Sequence, residues 1–316
     1  MDAVAFALAK SIKVSDDVLI KKSNMPLAFK NGGAGGVNGK AYVFAGETAS
    51  AIVANHYEYD PATDTYAVKD GSPGGLKSRG SCASLTKVYS IGGAIGSMSG
   101  DERNLIYEYD PTTNIWTSKA LMPIAMRGPG VAYNPADRMI YVAGDSKLPM
   151  YQYDPSKNVW ATKAQMAKAR SGNGLAAVGG KLLATGGIGD NDYTAELYNP
   201  ITNSWSPAAN MPRNRRWHTS MGIGDNAYLF GGYDDFFNTN DILNVHIYNV
   251  VENKWTFGTT TISDQAMGMM PALIGDKIYT FGGSGYSSST VQSLCYEYTP
   301  RKIDGLDALL GWLAAN

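Results

Sequence analysis

Histidine and cysteine are scarce in this chain, at three and two of its 316 residues. The imidazoles, His56, His218 and His246, fall in separate strand contexts, so neither a metal site nor another cofactor is expected. Cys82 and Cys295 sit far apart in apolar runs and are expected to pack as small hydrophobes rather than to pair. A formal net charge of -1 supplies no whole-molecule field to recruit nucleic acid or anionic lipid. Long apolar runs are missing too, and none approaches the roughly twenty residues of a membrane-spanning helix. Near the start, Asp2 precedes the short apolar stretch Ala3 to Ala9 and Lys10 follows it, the reverse of a secretory signal. The expectation is a soluble protein, cytoplasmic or virion-associated, made without export by that route. The acidic stretches Asp190-Asn191-Asp192 and Asp234-Asp235 to Asp241 lack calcium-loop spacing and read as turn chemistry. No glycine-rich phosphate loop opens a helix.

What the chain has in quantity is glycine, 36 residues, and tyrosine, 20. Both suit short strands joined by tight turns and packed through aromatics. Two landmarks recur six times. The first is an aromatic and turn pair ahead of a second aromatic: Tyr109-Asp110-Pro111 with Trp116, Tyr153-Asp154-Pro155 with Trp160, and Tyr198-Asn199-Pro200 with Trp205. Tyr59-Asp60-Pro61 with Tyr66 and Tyr248-Asn249-Val250 with Trp255 are degenerate copies, and Tyr298-Thr299-Pro300 has no second aromatic. The turn pairs begin 50, 44, 45, 50 and 50 residues apart, a period that means an array of one supersecondary unit. The second landmark is a small-residue pair ending an alternating apolar strand: Ala45-Gly46, Gly92-Gly93, Ala143-Gly144, Gly186-Gly187, Gly231-Gly232 and Gly282-Gly283. A Gly/Ala-rich strand precedes each pair, giving four strands per unit.

These paired landmarks resemble the kelch repeat, whose units are the blades of a β-propeller, over about Val18 to Pro300. The resemblance implies an all-β, six-bladed kelch-type propeller spanning 17–300. Short helices are expected at 1–16 and 301–316, where Val4, Leu8 and Ile12, and Ile303, Leu306, Leu310 and Leu313, fall at helical spacing. They are expected to cap each other or the propeller edge, or else to form an oligomerisation or docking element. The last unit lacks an outer strand. Trp116 and Trp205 each stand six residues before a Met-Pro pair, and the same count back from Met25-Pro26 gives Leu19, so Val18-Leu19-Ile20 is expected to close the ring.

Arg127, Arg170 and Arg215 each stand sixteen residues before a small-residue pair, and Arg79 joins them if its inner hairpin is three residues shorter. That position opens the innermost strand, so these arginines are expected to ring a channel mouth suited to carboxylate or phosphate. The competing expectation is that each pairs with a neighbouring blade. In kelch adaptors of ubiquitin ligases, arginines at this point hold acidic peptides, and Arg170-Ser-Gly matches that local pattern; the resemblance thus implies an acidic peptide or acidic glycan partner. Trp217, His218, Tyr233, Asp234 and Tyr286 are expected on the recognition rim, with Asp235, Phe236 and Phe237 beside them. Catalysis is the less favoured reading. Copper radical oxidases of this fold need a cysteine context that Cys82 and Cys295 lack. Kelch sialic-acid epimerases use Arg and Glu, for which Glu47 and Glu102 are the candidates. A third reading is a phage tail or cell-surface attachment module docked through the terminal helices.

Overall fold

The computed structural model describes residues 13–14, 16–145, 147–188, 193–233, 243–262, 267–285, 290–301 and 303–304. Within them the chain winds through six four-stranded antiparallel sheets set around one axis. In the fourth blade, Gly174–Val178 is innermost, followed outward by Lys181–Thr185, Ala195–Asn199 and Ser204–Ala208. The sixth blade takes its outer strand from the other end of the chain: Val18–Lys22 pairs with Cys295–Thr299, Leu19 opposite Tyr298. Leu19 therefore occupies the place that Trp205, opposite Tyr198, fills in the fourth blade. The first and last described segments, Lys13–Val14 and Ile303–Asp304, form a short antiparallel ladder. Extended pairing thus replaces the helix expected at those residues, while the rest of both terminal helices lies outside the described residues.

Burial runs between blades rather than within them. Leu175, Leu182, Ala184 and Tyr198 of the fourth blade pack against Ala132, Tyr141 and Ala143 of the third, and comparable clusters fill the other junctions. Cys295 is buried in one such cluster and Cys82 borders another, both as free thiols.

The aromatic landmark is a clamp between blades. Tyr198 donates its hydroxyl to Asn203 Oδ1 at 2.8 Å, and the same oxygen accepts the Ala164 N–H of the third blade at 3.0 Å. Trp205 Nε1 donates to the Ala164 carbonyl at 2.9 Å. The arrangement recurs with Tyr153, Asn158 and Trp160 on Ala120, and with Tyr248, Asn253 and Trp255 on Ala209. Tyr59, Asp64 and Tyr66 hold Ser23 in the same way, which locks the closing strand to the first blade. The turn residue of each clamp has a left-handed backbone, φ 49° at Asn203, which asparagine tolerates better than most side chains.

The small-residue pair serves a close approach. A Cβ on Gly186 would lie 2.1 Å from the Arg215 carbonyl of the next blade, and one on Gly282 the same distance from that of Phe29. The second glycine then donates to that same carbonyl: Gly187 N to Arg215 O at 2.8 Å, Gly283 N to Phe29 O at 3.2 Å.

Candidate functional site at the channel mouth

At the end of the axis where the inner strands begin lies a polar cup of about 210 Å3, to which all six blades contribute. One left-handed residue per blade rims it: Asn31, Ser78, Gly128, Gly172, Trp217 and Gly268. Several of these bond in sequence around the opening, Asn31 N to Gly268 O at 2.9 Å, Ser78 N to Asn31 O and Gly128 N to Ser78 O at 2.7 Å, and Trp217 N to Gly172 O at 2.7 Å. Backbone bonds thus link rim residues of neighbouring blades, and five blades place a small side chain there while the fifth blade places a tryptophan.

The four expected arginines do not share one position around this ring. Counted from the first ladder residue of each inner strand, Arg170 and Arg215 are equivalent to Phe29, Leu76 and Met126, all of them buried. Ala266, the sixth, lies outside the described residues. Two features shift the others. In the third blade the inner hairpin turns through four residues, 135–138, instead of the two of the fourth blade. The residues that follow its ladder are Gly144 and Asp145, so counting from Ala143-Gly144 slips by one and lands on Arg127 instead of Met126. The second blade's hairpin is not shortened, since Gly80 pairs with Ile91 across the same interval as Gly174 with Thr185, so Arg79 falls three residues later than Arg170.

Arg170 and Arg215 turn away from the cup and tie their own blades. The Arg170 guanidinium donates to the Gly186 and Thr194 carbonyls, to Thr194 Oγ1, and at 3.0 Å to Glu196 Oε1. Arg215, fully buried, donates to the carbonyls of Gly231 at 2.8 Å and Asn244 at 3.0 Å. Arg79 reaches the cup wall, but its guanidinium is spent on the Leu76, Pro73 and Gly74 carbonyls and on Ser90 Oγ, and burial lowers its pKa to about 10. Arg127 lines the cup half-buried, bonded to the Ser97 and Met98 carbonyls and 3.3 Å from Glu102.

A different register carries the positive charge. The residue immediately before the left-handed one is Lys30, Lys77, Arg127, Ser171, Arg216 and Met267 in the six blades, a cation in four, each of them half-buried. Glu47 lies 2.8 Å from Lys77 and accepts from Asn31 Nδ2, so this collar is partly neutralised. Sequence reading passed over Lys30, Lys77 and Arg216 because the count ran from the glycine pairs. A count from the Asn31, Ser78 and Gly172 positions would have aligned them.

Trp217 is the outlier of the rim. It holds φ 54° with a bulky side chain, stays 45% exposed, and lays its indole over the Cα of Gly172, where a Cβ would sit 2.4 Å from the ring. The Arg216 guanidinium lies 4.6 Å from the Trp217 ring centre and 5.0 Å from that of Tyr233. Left-handed backbone under a large side chain costs on the order of 1–2 kcal/mol and is retained chiefly where the site uses it. His218 follows in the cup wall, buried, with Nε2 2.8 Å from Thr185 Oγ1. Burial, with Arg215 and Arg170 adding to it, lowers its pKa to about 3, so the imidazole is neutral near pH 7. Asp234 and Tyr286 lie outside the described residues, as do Asp235, Phe236 and Phe237. Among the described residues no three His, Cys, Asp or Glu side chains are grouped to hold a metal ion, and no helix is long and apolar enough to cross a membrane.

Residues 169–212, which span all four strands of the fourth blade, match the Kelch motif. The fold is similar to the solved structure of YjhT, with a TM-score of 0.71 over 89% of this chain and 99% of that one at 15% identity. No curated protein matches the chain. With one repeat matched and its landmarks and strand order recurring in the other five blades, the fold is a six-bladed kelch-type β-propeller.

Proposed function

We propose that this propeller is a non-catalytic binding module that takes an acidic ligand at the polar cup. The collar carries the reading: Lys30, Lys77, Arg127 and Arg216 each stand one residue before a rim residue of the cup, and Arg127 itself lines it, where cations grip a carboxylate or phosphate while solvent still screens their mutual repulsion. Trp217 favours an acidic glycan over an acidic peptide, because a half-exposed indole held rigid by its backbone offers a flat face to a sugar ring. Catalysis is disfavoured because His218 is too weak a base to carry a proton at neutral pH, and Glu47 and Glu102 are each paired with a cation. Arg170 and Arg215 act in this reading as braces beneath the rim.

The test is an array of acidic glycans and acidic peptides probed with the native chain, Arg127→Ala and Trp217→Gly. Glycine accepts the left-handed backbone, so Trp217→Gly keeps the fold. An acidic glycan should bind the native chain, and Arg127→Ala should weaken it by about 1.5–3 kcal/mol, the scale of a charged hydrogen bond. Binding of peptides alone would replace the glycan by the peptide. Binding indifferent to both substitutions, or absent throughout, would refute the site.

A further inference from the structure

Beyond the cup, the inner strands enclose a second and larger chamber of about 520 Å3 on the same axis. It opens at the opposite end, where the inner strands turn at Pro135, Gly179–Gly180 and Gly224–Asp225. Its chemistry is the reverse of the cup's. Val131, Tyr133, Ala177, Met221, Ile223 and Leu273 face it, each only partly covered by the protein, and Asp225 on the rim is the one charge in its lining. Leu85, 66% exposed, stands at the entrance. A channel serving only as a water-filled axis is served better by polar walls, since apolar walls give the enclosed water few hydrogen-bond partners. Displacing that water with an apolar molecule is favourable. The volume falls within the range of pockets that bury a drug-sized ligand.

The lining also restricts the ligand's charge and polarity. No cation lines the chamber, so nothing compensates an anion taken out of water. Hydroxyls are present: Ser81 Oγ accepts the Ala34 N–H at 3.0 Å, which leaves its own proton to donate, and Ser220 Oγ lies 3.5 Å from Thr185 Oγ1. We infer that the chamber is a second binding site, distinct from the cup, for an uncharged and mainly apolar small molecule bearing a hydrogen-bond acceptor. It is independent of the acidic-ligand reading: the two linings share no residue, and Gly33, Gly80, Gly130, Gly174 and Met270 lie between them along their strands.

The neutral fluorophore N-phenyl-1-naphthylamine, which brightens in apolar surroundings, tests this on the full chain. The expected result is a saturable single-site titration. Ala177→Asp, which places a carboxylate in the wall, should weaken it at least tenfold. Ala177→Leu, which narrows the chamber without charge, should weaken it as well and serves should the aspartate variant fail to fold, as judged by circular dichroism. Arg127→Ala and Trp217→Gly, at the cup, should leave the titration unchanged. No saturable signal, indifference to both Ala177 substitutions, or loss on the cup substitutions would each overturn the inference. Because the cup variants are read separately on the acidic array, failure here and failure of the acidic-ligand reading are distinguishable.

Discussion

Replacing Asn203 tests the clamp that joins the blades. Its Oδ1 accepts two hydrogen bonds, from the Tyr198 hydroxyl at 2.8 Å and from Ala164 N–H at 3.0 Å, and its backbone sits at φ 49°. Asn203→Ala leaves the hydroxyl of a fully buried tyrosine without an acceptor, which costs about 1–3 kcal/mol. The more exposed Ala164 N–H can turn to water, so its loss adds about 1 kcal/mol or less. Left-handed alanine adds roughly 1 kcal/mol more. The expected loss is therefore about 4 kcal/mol for Asn203→Ala, about 1 kcal/mol less for Asn203→Gly, which accepts the backbone, and within about 1 kcal/mol of native for Asn203→Asp. The first blade supplies the precedent for that last substitution, since Asp64 accepts from Tyr59 at 2.7 Å and from Ser23 N–H at 3.0 Å. Urea unfolding followed by tryptophan fluorescence measures the losses, and hydrogen exchange in the third and fourth blades shows whether they open together. If aspartate proves as damaging as alanine, or if alanine and glycine cost alike and under about 1 kcal/mol, the clamp is not what holds these blades.

Two further outcomes follow from places where the clamp is interrupted. Trp205→Phe removes a hydrogen bond to the Ala164 carbonyl, whereas Trp116 Nε1 is buried without a partner, so Trp116→Phe should cost about 1–2 kcal/mol less in the same urea titration; equal losses would contradict this. Burial lowers the pKa of His56 to about 4, although its bond to the Asp70 carbonyl opposes the shift, so the imidazole folds neutral. Its contribution is fully present above the unfolded value near 6.5 and is lost as pH falls through about 4, roughly 3 kcal/mol in all. His56→Gln should flatten that part of the stability profile, and an unchanged slope between pH 6.5 and 4 would sink the assignment.

Period and landmarks sufficed to read the blades, and the Met-Pro count picked out Val18-Leu19-Ile20 as the closing strand, in which Leu19 lies opposite Tyr298. That worked because ring closure forces the same strand order on every repeat. The asparagine of the clamp was equally visible, five residues after each tyrosine from Tyr109 to Tyr248, but a turn asparagine carries no sign that its side chain reaches the preceding blade. The arginines divide by register, Arg79 and Arg127 on the cup and Arg170 and Arg215 bonded within their own blades. A slip of one residue separates Arg127, which lines the cup, from the buried position of Met126. Only the ladder registers, with their longer hairpin in the third blade, reveal that slip.

Where the blades depart from one another is then the more informative signal for function. The backbone ring at the cup requires a left-handed residue in every blade, and glycine supplies it at Gly128, Gly172 and Gly268 at little steric cost. Asn31 and Ser78 are small enough to bear it. Trp217 is not: it stays 45% exposed, covers the Cα of Gly172 and lies against Arg216 and Tyr233. A strain of about 1–2 kcal/mol at a position where glycine would fit the backbone is therefore set against those contacts and the flat face that the indole leaves exposed. The neighbouring Arg216 is held by the same feature, its guanidinium lying against both the Trp217 and Tyr233 rings. If the cup binds an acidic ligand as proposed, the fifth blade, more than the arginines buried behind the rim, is where its selectivity would reside.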